Sequence, residues 1–140
     1  MSKEKIIGYT TGVFDMFHVG HLNIIKRAKE RCDYLIVGVS TDELVEAYKH
    51  KRPVISLENR MAIVEAIKYV DEVVPQVSMN KIEAWEQLHF DVMFHGDEWK
   101  NTDLYNSYEI ELAKVGARIE YLPHTEGISS SILRDILNQK

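Results

Sequence analysis

Short apolar runs alternate with amphipathic stretches along the whole sequence, and this alternation constrains the fold more than any other feature. The apolar runs predict strands at 6–9, 34–39, 72–74, 91–95 and 118–122. The amphipathic stretches predict helices at 21–31, 41–48, 56–67, 81–88, 104–115 and 129–137. Strands that alternate with helices indicate an α/β fold with a parallel sheet covered on both faces. We expect one domain over residues 1–140, because no segment rich in Pro, Gly or Ser marks a linker.

Composition and charge exclude several classes of function. The net charge of −5 argues against a general nucleic-acid binder, and no apolar run approaches the length of a membrane span. A lone cysteine, Cys32, and an N-terminus without a signal-peptide pattern lead us to expect a cytoplasmic protein. The charge is uneven, since residues 1–70 hold 11 Lys and Arg against 9 Asp and Glu, whereas 71–126 hold 4 against 12. An acidic chain of this kind can still bind a small anion in its basic part.

The loop between the first strand and the first helix carries the strongest chemical signal. His18 and His21 flank Gly20 at the mouth of the helix. Imidazole N–H groups and a helix N-terminus both favour phosphate, and glycine lets a triphosphate approach the backbone. Two structural histidines are the alternative interpretation. A zinc site is disfavoured, because the chain has one cysteine and no third ligand at metal spacing.

The full string around these histidines is more specific than the pair. Gly-x-Phe-Asp-x-x-His-x-Gly-His, ending at His21, resembles the signature of the cytidylyltransferases, within the nucleotidyltransferase superfamily marked by His-x-Gly-His. Further segments similar to that family lie at 33–43, 58–60, 69–73, 95–99 and 123–131. The short length and the Gly-Asp-x-Trp form of residues 96–99 are most similar to the bacterial glycerol-phosphate branch.

The resemblance implies a Rossmann-like three-layer sandwich with a parallel five-stranded sheet. It also implies transfer of CMP from CTP to an alcohol phosphate, most readily glycerol 3-phosphate, by direct in-line attack with release of pyrophosphate. The implied cofactor is Mg²⁺, the implied assembly a homodimer, and the implied pathway cell-wall or capsule synthesis. We expect no nucleic-acid or membrane partner.

The same resemblance assigns roles to individual residues. The implied catalytic residues are His18, His21, Lys51 and Ser129. The implied nucleotide-binding residues are Thr10, Gly12, Val13, Phe14, His18, His21, Lys49, Asp97, His124, Thr125, Gly127, Ile128, Ser129 and Ser130. The implied acceptor-binding residues are Asp15, Asp42, Lys51, Arg60 and Trp99, with Asp15 also expected near the metal and Arg60 near a phosphate or a neighbouring subunit. In the loop before residues 58–60, Lys51 is the better match to an essential lysine of the family, and Lys49 is the second.

Three departures from the family pattern leave the acceptor open. Val13 replaces a threonine of the glycerol-phosphate branch, His124 replaces an arginine, and Glu98 replaces an aspartate. Choline phosphate and ethanolamine phosphate are therefore alternative acceptors. An adenylyltransferase of the same superfamily is a further alternative, and a nucleotide-sensing module without activity is the non-enzymatic one.

Overall fold

The computed structural model describes residues 5–97 and 100–123 and contains a five-stranded parallel sheet. The strands are β1 (Ile7–Gly12), β2 (Tyr34–Ser40), β3 (Glu72–Gln76), β4 (Val92–Gly96) and β5 (Arg118–Leu122). The helices are α1 (Val19–Glu30), α2 (Asp42–Lys49), α3 (Leu57–Glu65), α4 (Lys81–Leu88) and α5 (Asp103–Ala113). This confirms the predicted α/β fold with a parallel five-stranded sheet.

The sheet is covered on both faces, and each face has its own apolar core. One core joins Ile25 and Ala28 of α1 and Val64 of α3 to inward side chains of the sheet. The other joins Tyr105 and Leu112 of α5 to the opposite face, with the apolar side of α4 packed against it. The three layers therefore follow from strands that are apolar on both faces, as in other buried parallel sheets.

The order of the strands across the sheet is β3-β2-β1-β4-β5. The chain builds outward from the central β1 to β3, then crosses back and places β4 on the other side of β1. In open parallel sheets, ligands bind beyond the carboxyl ends of the strands at the point where this order reverses. That point lies between the ends of β1 and β4.

Several element bounds differ from the prediction. β1 continues to Gly12, three residues beyond the predicted end, and α3 and α5 each end two residues earlier than predicted. β3 does not stop at Pro75 but continues to Gln76, because it is an edge strand and the missing proline N–H faces no partner strand. α1 begins at Val19, two residues earlier than expected, because His18 caps it. The helix expected at 129–137 lies outside the described residues. None of the helices within 5–97 and 100–123 is long and apolar enough to cross a membrane.

Candidate active site

The two histidines of the first loop form the N-terminal cap of α1. His18 is the N-cap residue, and its Nδ1 accepts a hydrogen bond from the Gly20 N–H at 3.0 Å. The Nδ1 of His21 accepts from the His18 N–H at 3.2 Å, and the two rings stack with centroids 3.9 Å apart. Because each Nδ1 is an acceptor, the proton of each neutral ring is on Nε2. The cap thus orients two imidazole N–H donors.

The environment keeps both rings neutral. Burial lowers the pKa of His21 to about 4, with the charge of a protonated His18 adding to the effect and Asp15 opposing it. Burial also lowers the pKa of His18. The Nε2 of His18 is buried and has no hydrogen-bond partner among the described residues. A buried donor without a partner is costly, so this atom is suited to a ligand oxygen.

Asp15 connects the same loop to the segment before α3. Its side chain is buried, and its two carboxylate oxygens accept from the backbone N–H groups of Val54 and Ile55 at 2.8 and 2.9 Å. These two contacts explain why Asp15 is buried, and its expected roles at the acceptor and near a metal stay predictions. Within the described part of the chain, no cluster of three His, Cys, Asp or Glu side chains could hold a metal ion.

Arg60 is also committed to internal contacts. Its guanidinium is fully buried and donates to the carbonyl oxygens of Ile55, Val13 and Ser40 at 2.7–2.8 Å. It also forms an ion pair with Asp42. These contacts do not support the expected role of Arg60 at a phosphate or a neighbouring subunit, which stays a prediction, as does the role of Asp42 at the acceptor. Together Arg60 and Asp42 fasten the ends of β1 and β2 to the segment before α3.

A cavity of about 360 Å³ opens at the carboxyl ends of the strands. Gly12 and Val13 line it at the end of β1, His95 at the end of β4, and Lys49 at the end of α2. These include three of the residues expected at the nucleotide. Two others are placed elsewhere: Thr10 is buried and donates to the carbonyl of Phe94 at 3.1 Å, and Phe14 is part of the core.

Lys81 is a site residue that the sequence analysis missed. It is only 2% exposed, it lines the cavity, and its Nζ lies 3.4 Å from the hydroxyl of Thr11. Burial lowers its pKa to about 8. A lysine at the first position of a helix meets the positive end of the helix dipole, which is unfavourable on stability grounds. This unfavourable position of a lysine in a helix was the one sign in the sequence that Lys81 has a special role. That Lys81 lies beside β1 is visible only in the fold.

The remaining expected residues divide into two groups. Lys51 is exposed in the segment after α2, and Asp97 is exposed just beyond β4. The roles assigned to the others stay predictions, because these residues lie outside the described ones: Trp99, His124, Thr125, Gly127, Ile128, Ser129 and Ser130.

Comparison with known proteins is consistent with this geometry. The family model "Cytidylyltransferase-like" matches residues 9–136. The chain belongs to that family. It is 37% identical over 139 residues to a glycerol-3-phosphate cytidylyltransferase of Bacillus subtilis, covering 94% of this chain and 95% of the relative. It is also 37% identical over 140 residues to an ethanolamine-phosphate cytidylyltransferase of Arabidopsis thaliana, covering 92% of this chain and 31% of that longer protein.

A solved structure supports the fold of this family member. The lipopolysaccharide core biosynthesis protein from Thermoplasma volcanium superposes with a TM-score of 0.73 at 23% identity. The match covers 87% of this chain and 98% of the other. At that identity, the likeness supports the fold alone.

Proposed function

We propose that this cytidylyltransferase-like protein transfers CMP from CTP to a phosphorylated alcohol. The observation that carries the proposal is the pair of neutral, Nε2-protonated histidines at the N-terminus of α1, with the buried Nε2 of His18 lacking a partner in the described chain. They follow the carboxyl end of β1, where the strand order reverses between β1 and β4 and where a nucleotide is expected to bind. The similarity to cytidylyltransferases over nearly the whole chain supports CTP as the donor.

In this reaction, an oxygen of the acceptor phosphate attacks the α-phosphorus of CTP. The bond from that phosphorus to the bridging oxygen breaks, and the electron pair leaves with pyrophosphate. Negative charge therefore grows on the leaving group, where the Nε2–H donors of His18 and His21 can stabilise it. No covalent enzyme intermediate is needed. Lys51, Ser129 and Ser130 are proposed to hold the phosphates of the donor, as the family resemblance implies.

We further propose glycerol 3-phosphate as the acceptor. Relatives named glycerol-3-phosphate cytidylyltransferase match at 36–38% identity over most of both chains. The Lys81 ammonium at the cavity supplies a positive charge for the acceptor phosphate. Ethanolamine phosphate is the second candidate, since a relative with that name matches one segment of its longer chain.

Mg²⁺ is proposed to accompany the CTP triphosphate. The described residues do not fit a resident metal, because the Asp15 carboxylate is occupied by Val54 and Ile55 and no cluster of three ligands exists among them. We therefore assign no catalytic step of this chain to a bound metal. The homodimer, the cytoplasmic location and the cell-wall or capsule pathway also stay predictions.

Pyrophosphate release tests the proposal directly. The protein is incubated with CTP or ATP and, in turn, with glycerol 3-phosphate, ethanolamine phosphate and choline phosphate. We expect release with CTP and the highest kcat/KM with glycerol 3-phosphate. Release with ATP and not CTP would identify an adenylyltransferase instead. If neither nucleotide gives release with any of these acceptors, the proposed activity is wrong for this substrate class.

A further inference from the structure

Thr11 contacts the Lys81 ammonium from β1, and the catalytic proposal gives it no role. Its side chain is partly buried and lines the same cavity. The hydroxyl oxygen of Thr11 accepts a hydrogen bond from the Nζ of Lys81 at 3.4 Å. Within residues 5–97 and 100–123, this oxygen is the only hydrogen-bond acceptor of that ammonium. Because a lysine has a long, flexible stem, the position of its charge depends on the acceptors around it.

The two ends of this contact belong to different layers of the fold. Lys81 is the first residue of α4, and the Asn80 side chain caps that helix through the Ile82 N–H at 2.9 Å. Thr11 belongs to β1, which lies between β2 and β4 in the sheet. The contact therefore joins the capped start of a helix to the end of the central strand.

The neighbouring strand β2 determines how the Thr11 side chain is turned. Thr11 pairs with Gly38 in the register of β1 and β2. A Cβ atom at Gly38 would lie 3.2 Å from the Cγ2 methyl of Thr11 and 2.6 Å from the hydroxyl of Tyr9. The absence of a side chain at Gly38 therefore provides the space in which this methyl packs. Because threonine is stiff at χ1, a methyl turned towards Gly38 leaves the hydroxyl facing Lys81.

The surroundings of Lys81 provide little other stabilisation of its charge. Among the described residues it has no ion-pair partner, and those that line the cavity include no Asp or Glu. The other titratable groups that line the cavity are Lys49 and Tyr48 on α2, His95 on β4, and Tyr105 and Tyr108 on α5. Burial lowers the pKa of Lys81 to about 8, whereas a hydrogen bond to the Thr11 oxygen favours the charged form.

We propose that Thr11 is a positioning residue that directs the Lys81 ammonium at the phosphate of the acceptor. Its methyl group, packed against Gly38, holds the Thr11 side chain, and its hydroxyl holds Lys81. The inference rests on the proposed function and deepens it, because that function places the acceptor phosphate at Lys81. Acceptor binding should therefore depend on the oxygen at position 11 more than on the shape of the side chain there.

The test compares Thr11→Val, which keeps the shape of the side chain and loses the oxygen, with Thr11→Ser, which keeps the oxygen. We expect Thr11→Val to raise the KM for glycerol 3-phosphate about 10-fold, and to change kcat and the KM for CTP less than about 3-fold. Thr11→Ser should raise the KM for glycerol 3-phosphate less than about 3-fold. Ser78→Ala is the control, because it removes a hydroxyl that is bonded to the Asn80 N–H, and it should change none of these constants.

The pH dependence separates a positioning role from a merely structural one. In the unchanged protein, kcat/KM for glycerol 3-phosphate should fall as the pH rises through about 8. Without the Thr11 oxygen the charged form of Lys81 is less favoured, so in Thr11→Val this fall should begin about 0.5–1 pH unit lower. Thr11→Ser and Ser78→Ala should keep the profile of the unchanged protein. NMR titration of the Lys81 side chain, assigned with Lys81→Met, should show the same lowering of its pKa and requires no activity.

Equal effects of Thr11→Val and Thr11→Ser, or an unchanged KM and pH profile in Thr11→Val, would overturn the inference. If Thr11→Val does not fold, Thr11→Ala is compared with Thr11→Ser instead, since these two differ only by the hydroxyl oxygen. If the unchanged protein transfers CMP to none of the acceptors, the proposed function fails, and the NMR titration and calorimetric binding of glycerol 3-phosphate decide the inference separately. A lower pKa of Lys81 and weaker binding in Thr11→Val than in Thr11→Ser support it, and equal values in the two variants overturn it.

Discussion

Arg60 and Lys81 are both buried cations near the carboxyl ends of the central strands, and they are used in opposite ways. Arg60 has three carbonyl oxygens and the Asp42 carboxylate as partners. Lys81 has one long contact, with Thr11, and faces a cavity. Removing a buried charge whose partners are all internal leaves those partners unpaired and destabilises the fold, whereas a buried charge left open to a cavity is available to a ligand. Burial alone therefore does not identify a functional residue; the partners do.

The largest effect should come from removing the charge with internal partners. Arg60→Met leaves the carbonyls of Ile55, Val13 and Ser40 without this donor and removes the buried partner of Asp42, so we expect the free energy of unfolding to fall by about 3–5 kcal/mol. Urea denaturation followed by circular dichroism measures this. The control is Arg31→Met, which removes an exposed ion pair with Glu120 and should cost less than about 1 kcal/mol. Equal losses in both variants would contradict the role given to Arg60.

The His18 ring has one nitrogen with an internal partner and one without. Its Nδ1 caps α1, whereas its Nε2 is available to a ligand, and the two roles can be separated by mutation. In His18→Asn the amide oxygen can still cap α1, but the Nε2–H donor is lost. We expect turnover to fall about 10²–10³-fold, as for loss of one donor to a developing oxyanion. The free energy of unfolding should stay within about 0.5 kcal/mol, since asparagine is a good N-cap. A variant that is stable and retains full turnover would show that His18 is only a cap.

His21 predicts how stability depends on pH. Its pKa in the folded protein is about 4, below the usual value of 6.5, so the unfolded chain binds more protons between these values. Stability should therefore fall as the pH decreases from 6.5 to 4, by at most about 3 kcal/mol. In His21→Gln the amide can still accept from the His18 N–H, and this part of the slope should be absent. Denaturation at a series of pH values decides, and identical slopes in the two proteins would contradict the prediction.

The smallest effect is expected from the charge that faces the cavity. Lys81→Met should raise the KM for the acceptor about 10–100-fold, as for loss of a hydrogen bond to a charged group. It should leave stability unchanged or improve it, because it removes a poorly partnered buried charge. In the unchanged protein, kcat/KM for the acceptor should fall as the pH rises through about 8, where the ammonium loses its proton, and this fall should be absent in the variant. Lys114→Met, on the surface, is the control. A large loss of stability in Lys81→Met would place it with Arg60.

The fold could be predicted closely, because each strand and helix within the described chain has its own local apolar pattern. The error at Pro75 arose because proline excludes a central strand but not an edge strand, and position in the sheet is not a local property. The histidines could be located from their spacing. Their tautomers could not, since these depend on the Gly20 and His18 N–H groups that the helix cap provides.

The basic residues show why the rest of the site was harder to predict. In the sequence, Arg60 and Lys81 are both charged residues of predicted amphipathic helices, and the pattern does not distinguish their roles. Their roles depend on contacts across the chain, with Val13 and Ser40 in one case and with Thr11 in the other. Only the three-dimensional arrangement distinguishes a cation with four acceptors from one with a cavity in front of it.

The pairing of β1 with β4 has a consequence for folding kinetics. The side chain of Thr10 bonds to Phe94, 84 positions away, whereas the helical connections from β1 to β2 and from β2 to β3 are short. Contacts of such long range form late, because the chain between them must be ordered first. The half-sheet β3-β2-β1 can assemble before β4 docks, but the cavity then lacks the wall that His95 provides. A ligand at this seam therefore binds only the finished protein, and it should slow unfolding without accelerating folding.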